Sequence, residues 1–234
     1  MAGITTFTLA RFERSRVPVL LATVPVERLR LRRLPGLAWG RHLGTSAGSH
    51  TLGVDPARWA WICRWDDEAA AGRFHHNLAA RLRPAEVATI SLRTLRARGR
   101  WAGHEVPAPA PPAGDPGPDG PLVVLTRARV RPRSWRSFTG AIPSVDADLQ
   151  GAAGRLRSIG VGEWPILVQA TLSVWEDAAA MSAFSRTEAH RTAIRRTAEE
   201  RWYTEELFAR FAIAGVEGSW DGAPPLDPSA PGGR

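Results

Sequence analysis

The side chain with the widest chemical reach in this sequence is His190. Read as a helix, residues 188–201 put His190, Ala193, Ile194 and Thr197 at i, i+3, i+4 and i+7 on one face, with Arg191, Arg195 and Arg196 on the others. The imidazole therefore sits on the stripe that packs inward. An inward imidazole can ligate haem iron, act as a general base, or bond a carbonyl as a core residue. Periodicity alone leaves these three open. Of the other histidines, His50 is expected in a loop, His104 in a Pro/Gly-rich stretch, and His75-His76 at the end of a helical stretch.

Polar side chains that could serve this histidine lie on residues 166–175. Side chains alternate across a strand, so Gln169, Thr171, Ser173 and Trp175 share one face and Val168, Ala170, Leu172 and Val174 the other. The apolar face is expected to lie under helices, and the polar face to line a cavity between two sheets. Buried polar groups need partners, so Gln169, Thr171 and Ser173 should meet a ligand, water or one another. Gly160 and Gly162, followed by Glu163, end the preceding strand. Glycine there either lets a ligand approach closely or marks a tight, bulged hairpin.

Other chemistries are excluded or weak. Gly160-Val161-Gly162 lacks the third glycine and the strand–helix setting of a dinucleotide site, and the chain has no phosphate-binding loop and no Gly-x-Ser-x-Gly elbow. Cys63 is alone, so it makes no internal disulfide, and no Cys/His cluster has zinc spacing. It reads as a small buried residue in a strand. The net charge is +8 and every basic residue is Arg. Absence of Lys beside abundant Ala, Gly and Pro fits a GC-rich coding sequence, and the arginines are scattered rather than striped, which argues against a nucleic-acid partner.

These residues need elements to position them. The chain repeats itself: residues 64–74 (RWDDEAAAGRF) match 174–184 (VWEDAAAMSAF), and Pro35-Gly36 at the head of residues 35–44 parallels Ala153-Gly154 at the head of 153–162. Asp66-Asp67 and Glu176-Asp177 read as acids at helix N-termini. In the second copy, 122–130 is a strand, Pro132 opens a helix over 133–141, 156–162 and 166–175 are strands around a turn at Glu163-Trp164-Pro165, a helix starts at Asp177, and 208–214 closes the unit. That order, strand–helix–strand–strand–helix–strand, is ferredoxin-like. The expected class is α+β, with tandem ferredoxin-like repeats forming a dimeric-α/β-barrel-type fold within one chain. The expected organisation is a first half at 3–103, a Pro/Gly-rich linker at 104–121, a second half at 122–217 carrying the site, and a disordered tail at 218–234. In the first half, Trp59, Trp61, Cys63 and Trp65 stand where the second has Gln169, Thr171, Ser173 and Trp175. The first half should thus be plugged with tryptophan and the second left hollow. With 44% apolar and 23% charged residues, no long apolar run and no leader pattern, the cytoplasm is the expected compartment.

The second half resembles the spheroidene monooxygenase family of carotenoid 2-ketolases and, more distantly, the dimeric α/β barrel monooxygenases. Carrying the resemblance are Leu125-Thr126-Arg127-Ala128 with Arg131-Pro132, the run 158–163 (SIGVGE) with Pro165, and the run 169–175 (QATLSVW). Met181, Phe184, Ala189-His190, Trp202, the run 205–211 (EELFARF) and the run 96–101 (RARGRW) complete it. It covers about residues 90–213. It implies a monooxygenase acting on a hydrophobic small molecule, a carotenoid or another natural-product intermediate, with haem b as cofactor, molecular oxygen as co-substrate and an electron donor that it does not name. It implies His190 as axial ligand to the haem iron, with Gly160, Gly162, Trp175 and Ile194 near the group, Arg157 or Arg127 pairing with its propionates, and Gln169, Thr171 and Ser173 orienting oxygen or substrate. Haem barrels also carry out aldoxime dehydration and chemistry at nitrogen, and a non-catalytic ligand-binding barrel is a further alternative. Peripheral contact with a membrane and self-association are compatible with this reading.

Overall fold

Alternating β-branched and apolar side chains over Leu122–Val130 make the central strand of the second half, β6. The computed structural model describes residues 3–46, 53–106, 120–163 and 168–229. By contact clustering they form two units, one comprising residues 1–45, 54–93 and 213–225, the other 46–53, 94–212 and 226–234.

In the first unit, β1 (Ile4–Arg11) pairs antiparallel with β3 (Val54–Trp65) and with β4 (Glu86–Trp101), and β2 (Leu37–Ser46) lies beyond β3. Helices α1 (Val17–Leu31) and α2 (Glu68–Leu82) cross between them. Trp59, Trp61, Cys63 and Trp65 pack into one core with Leu20 and Leu31 of α1 and Phe74, Leu78 and Leu82 of α2. His42 of β2 is stacked on Trp59 and on Trp61, with ring centroids 4.7 Å away in each case.

The second unit repeats the plan. The first pairings of β6 are with β8 (Val168–Trp175) and β9 (Tyr203–Gly218), both antiparallel; β7 (Arg155–Glu163) pairs with β8. The strand order β7-β8-β6-β9 matches β2-β3-β1-β4. Its helices are α3 (Trp135–Gln150), α4 (Ala178–Ser185) and α5 (Glu188–Glu200). After a short turn of strand, β5 (His104–Glu105), paired back on the end of β4, residues 107–119 of the expected linker lie outside the described residues. So do residues 164–167, where the turn at Trp164-Pro165 was expected.

The duplication is visible atom by atom. Asp67 and Asp177 both cap a helix, each carboxylate accepting at 2.7 Å from the backbone N–H three residues on, Ala70 and Ala180. Gly36 and Gly154 both have positive φ (+76° and +73°), and a Cβ on either would come within 2.7 or 2.5 Å of the methyl of Ala70 or Ala180. Arg83 and Arg201 both end the second long helix in a left-handed conformation. The expected α+β class with tandem βαββαβ units is the one adopted.

Three boundaries differ from expectation. Helix α3 runs to Gln150, past Pro143, because Phe138, Ala141, Ile142, Val145 and Leu149 continue one apolar stripe whose packing outweighs a single lost backbone bond. Strands β4 and β9 are 16 residues long, and each contributes to both units, so the units are not simply the two halves of the chain. The expected disordered tail makes tertiary contacts as far as Asp227, whose carbonyl accepts from Arg157. Trp220 is buried, its ring centroid 6.3 Å from that of Phe7, and Glu86 accepts from Gly222 N at 2.6 Å and Ser219 Oγ at 2.9 Å. A Pro/Gly-rich composition carried no sign of that single tryptophan anchor. Residues 230–234 are outside the described set.

Candidate active site

Register decides which side chains share the helix-covered face of the second sheet. Thr126 is opposite Thr171 and Phe208, and Ala128 is opposite Gln169 and Glu206. These residues, with Phe138, Ile142 and Val145 of α3 and His190, Ala193, Ile194 and Thr197 of α5, line one cavity of about 830 Å³. The polar face of β8 thus lies under the helices, and Val168, Leu172 and Val174 alternate away from them, Ala170 alone of that set reaching the cavity wall. This reverses the expected orientation and moves the expected hollow from an inter-sheet space to the sheet–helix layer. The reason is that both faces of β8 are buried, so polarity does not mark the outside. Trp175 sets the sense instead, packing with Leu122, Leu149 and Met181 and tilting against Phe184 at 5.3 Å.

His190 is held at the start of α5. Thr187 caps the helix, its hydroxyl accepting from the His190 N–H at 3.4 Å. Phe184 of α4 lies against the imidazole at 4.9 Å between centroids. The Nδ1 of His190 is buried and has no hydrogen-bond partner among the described residues. Burial pushes the imidazole pKa below its ordinary value, only partly opposed by Asp148, which favours the neutral ring. A neutral imidazole with a free nitrogen is the form that ligates a metal.

The other expected site residues divide into three groups. Thr171, Gln169 and Ile194 line the cavity with His190. Ser173 and Trp175 share their face but lie in the adjoining core, Trp175 Nε1 donating to Ser173 Oγ at 2.9 Å; Gly160 and Gly162 sit on β7 opposite Thr171 and Gln169 and do not line the cavity. A Cβ on Gly162 would meet Val168 O at 3.1 Å, so close strand approach explains that glycine. Arg127 and Arg157 are a correction: both alternate onto the opposite face. Arg127 donates to Glu205 and lies 5.5 Å over the Trp101 ring; Arg157 donates to Leu156 O at 2.8 Å and Asp227 O at 3.1 Å. A one-residue step along a strand changes the face, and Thr126 and Ala128, not Arg127, point to the cavity.

Sequence reasoning missed the arginines that do line it, Arg98, Arg131, Arg201 and Arg210. Arg131 Nε donates to Tyr203 O at 3.1 Å, and Arg98 lies 5.0 Å over the Phe208 ring. Burial, and then the nearby Arg96, lower the pKa of Arg210, so an anion beside it would relieve an unfavourable charge. The spacing of Arg210 from Phe208 on one strand face could have revealed it.

Haem b fits this set of groups: an unpartnered buried imidazole nitrogen, a largely apolar enclosure from α3, α5 and Phe208, and cations on its walls for two carboxylates.

No protein-family model matches the sequence. The chain is 34% identical over 230 residues to spheroidene monooxygenase of Rhodobacter capsulatus, an alignment covering 95% of each protein. The chain belongs to the spheroidene monooxygenase family. Its likeness to the family member of Rubrivivax gelatinosus is 38% over 195 residues, covering 80% of this chain and 73% of that protein. As a member of this family the protein is a monooxygenase, an oxidoreductase. An aldoxime dehydratase shares its fold, with a TM-score of 0.56 at 10% identity over 90% of this chain and 81% of that one. Among the described residues no helix is long and apolar enough to cross a membrane.

Proposed function

We propose that this family member is a haem-dependent monooxygenase that oxygenates a carotenoid, holding haem b in the cavity of the second unit. The observation that carries the reading is the buried, unpartnered Nδ1 of His190 on the wall of that cavity. His190 would be the axial ligand, and Arg131, Arg201 and Arg210 would take the propionates in place of Arg127 and Arg157. Bound haem supplies activation of dioxygen. The chain's own part is to exclude water with Phe138, Ile142, Val145 and Phe208 and to offer the hydrogen-bonding groups of Gln169 and Thr171 for orienting oxygen or substrate. The name of the relatives, spheroidene monooxygenase, supports a long hydrophobic substrate of that kind. Electrons come from an external donor.

An absorption spectrum of the protein produced with added haem precursor tests this. A Soret band is expected, lost or shifted in His190→Ala with the circular dichroism unchanged. A colourless protein that takes up no added haemin, yet consumes oxygen with substrate, would overturn haem dependence and leave cofactor-free oxygenation in the same cavity.

A further inference from the structure

Helix α1 is apolar on two sides. Leu20, Val24 and Leu31 pack on the first unit's core. At 100° per residue, the opposite arc collects Val19, Leu21, Ala22, Val26 and Leu29 without a charged residue among them. Val19, Leu21, Val26 and Leu29 are 61, 53, 57 and 48% exposed, and they are four of the six large hydrophobic side chains most exposed among the described residues. A wide apolar face on a helix is normally covered; among the described residues nothing covers this arc.

Charge brackets the arc. Arg28 borders it on one side and Arg30 on the other, Arg14 precedes the helix, and Arg32 and Arg33 follow it. Of the acids nearby, Glu27 is on the inner face, buried and paired with Arg81, which leaves Glu13 as the exposed one. Apolar side chains flanked by long cations whose stems can snorkel are the pattern of a helix lying in a bilayer interface. A second copy docked on the same face about a twofold axis would set arginine against arginine. An anionic bilayer matches both the apolar arc and its cationic border.

We propose that the outer face of α1 docks this protein on an anionic membrane surface. The inference is independent of what the cavity binds, and its test needs no cofactor or substrate.

The full-length protein is floated with vesicles of phosphatidylglycerol and phosphatidylcholine in equal parts, and with phosphatidylcholine alone. Binding to the anionic vesicles is expected, weakening as salt rises. Arg28→Gln and Arg30→Gln should each weaken it about fivefold. Leu21→Glu with Leu29→Glu should abolish it; both positions are exposed, and unchanged circular dichroism would show that the fold is intact. Equal binding to both vesicle types, no binding, or full binding by the arginine variants would overturn the proposal. Concentration-dependent dimerisation, lost in the Leu21/Leu29 variant and without vesicle binding, would assign the face to a second copy. Capture by polyglutamate without vesicle binding would assign it to an acidic protein.

Discussion

The ring of Phe184 and the imidazole of His190 lie 4.9 Å apart, tilted by 59°, joining α4 to the start of α5. Phe184 also leans on Trp175, so the histidine is oriented by a chain of aromatic contacts that begins in the sheet. Phe184→Ala should cost about 2 kcal/mol of stability, less than a fully buried phenylalanine because this ring is half-buried. It should also broaden or shift the Soret band of the proposed haem complex while leaving His190 in place. Thermal unfolding and an absorption spectrum of the same sample check both.

Thr171 stands where the first repeat has Trp61. Thr171→Trp should fill the cavity with an indole, abolish haem uptake and activity, and leave stability within about 1–2 kcal/mol, because the space is already open. The reverse change, Trp61→Thr, empties a closed core and should cost roughly 3–5 kcal/mol. Chemical denaturation of the two variants gives the contrast.

Arg210 is a surface-accessible cation on the cavity wall, repelled by Arg96. Arg210→Gln should leave the ligand-free protein equally or slightly more stable and weaken haem affinity by about tenfold or more, the cost of one charge-assisted hydrogen bond. Haemin titration and a melting curve without haem separate the two effects. Equal loss in both would mean that the residue serves only the fold.

Acid should destabilise this protein through two histidines of the first unit. Burial, with Arg28 and Arg81 adding to it, pushes the pKa of His42 down to about 3, and burial pushes that of His75 down to about 4. In the unfolded chain both titrate near their ordinary value of 6.5. Above that pH neither state carries the proton and the full stability is present. As the pH falls below it, the unfolded chain takes up protons that the folded chain refuses, and stability is lost down to the folded pKa values. For His42 the loss amounts to several kcal/mol, at about 1.4 kcal/mol per pH unit. Both ring nitrogens of His42 are buried without hydrogen-bond partners among the described residues, so His42→Phe should preserve the stacking on Trp59 and Trp61 and flatten this part of the profile. Denaturant midpoints measured between pH 7 and pH 4 test it.

Much of the architecture was legible in the residues. The matched tryptophan, acid and alanine runs announced a duplication, and Asp67 and Asp177 proved to be the same helix cap twice. The stripe of His190, Ala193, Ile194 and Thr197 was readable because helical period is a local property, and all four line the cavity. Less legible was anything that depends on the far side of an element. The indole of Trp220 buries the segment expected as a free tail, and nothing in its neighbours foretold a receptor beside Phe7.

The sequence by itself determined the repeat, the order of elements, the tryptophan plug of one unit against the polar counterpart in the other, and the histidine's side of its helix. These follow from spacing along the chain, which covalent geometry converts directly into faces. Only the tertiary structure decided which face of β8 meets the helices, where the hollow lies, and which arginines reach it. A strand buried on both sides offers two faces of nearly equal claim, and the choice between them is made by packing partners distant in sequence, such as Leu122 and Leu149 for Trp175 and Glu205 for Arg127.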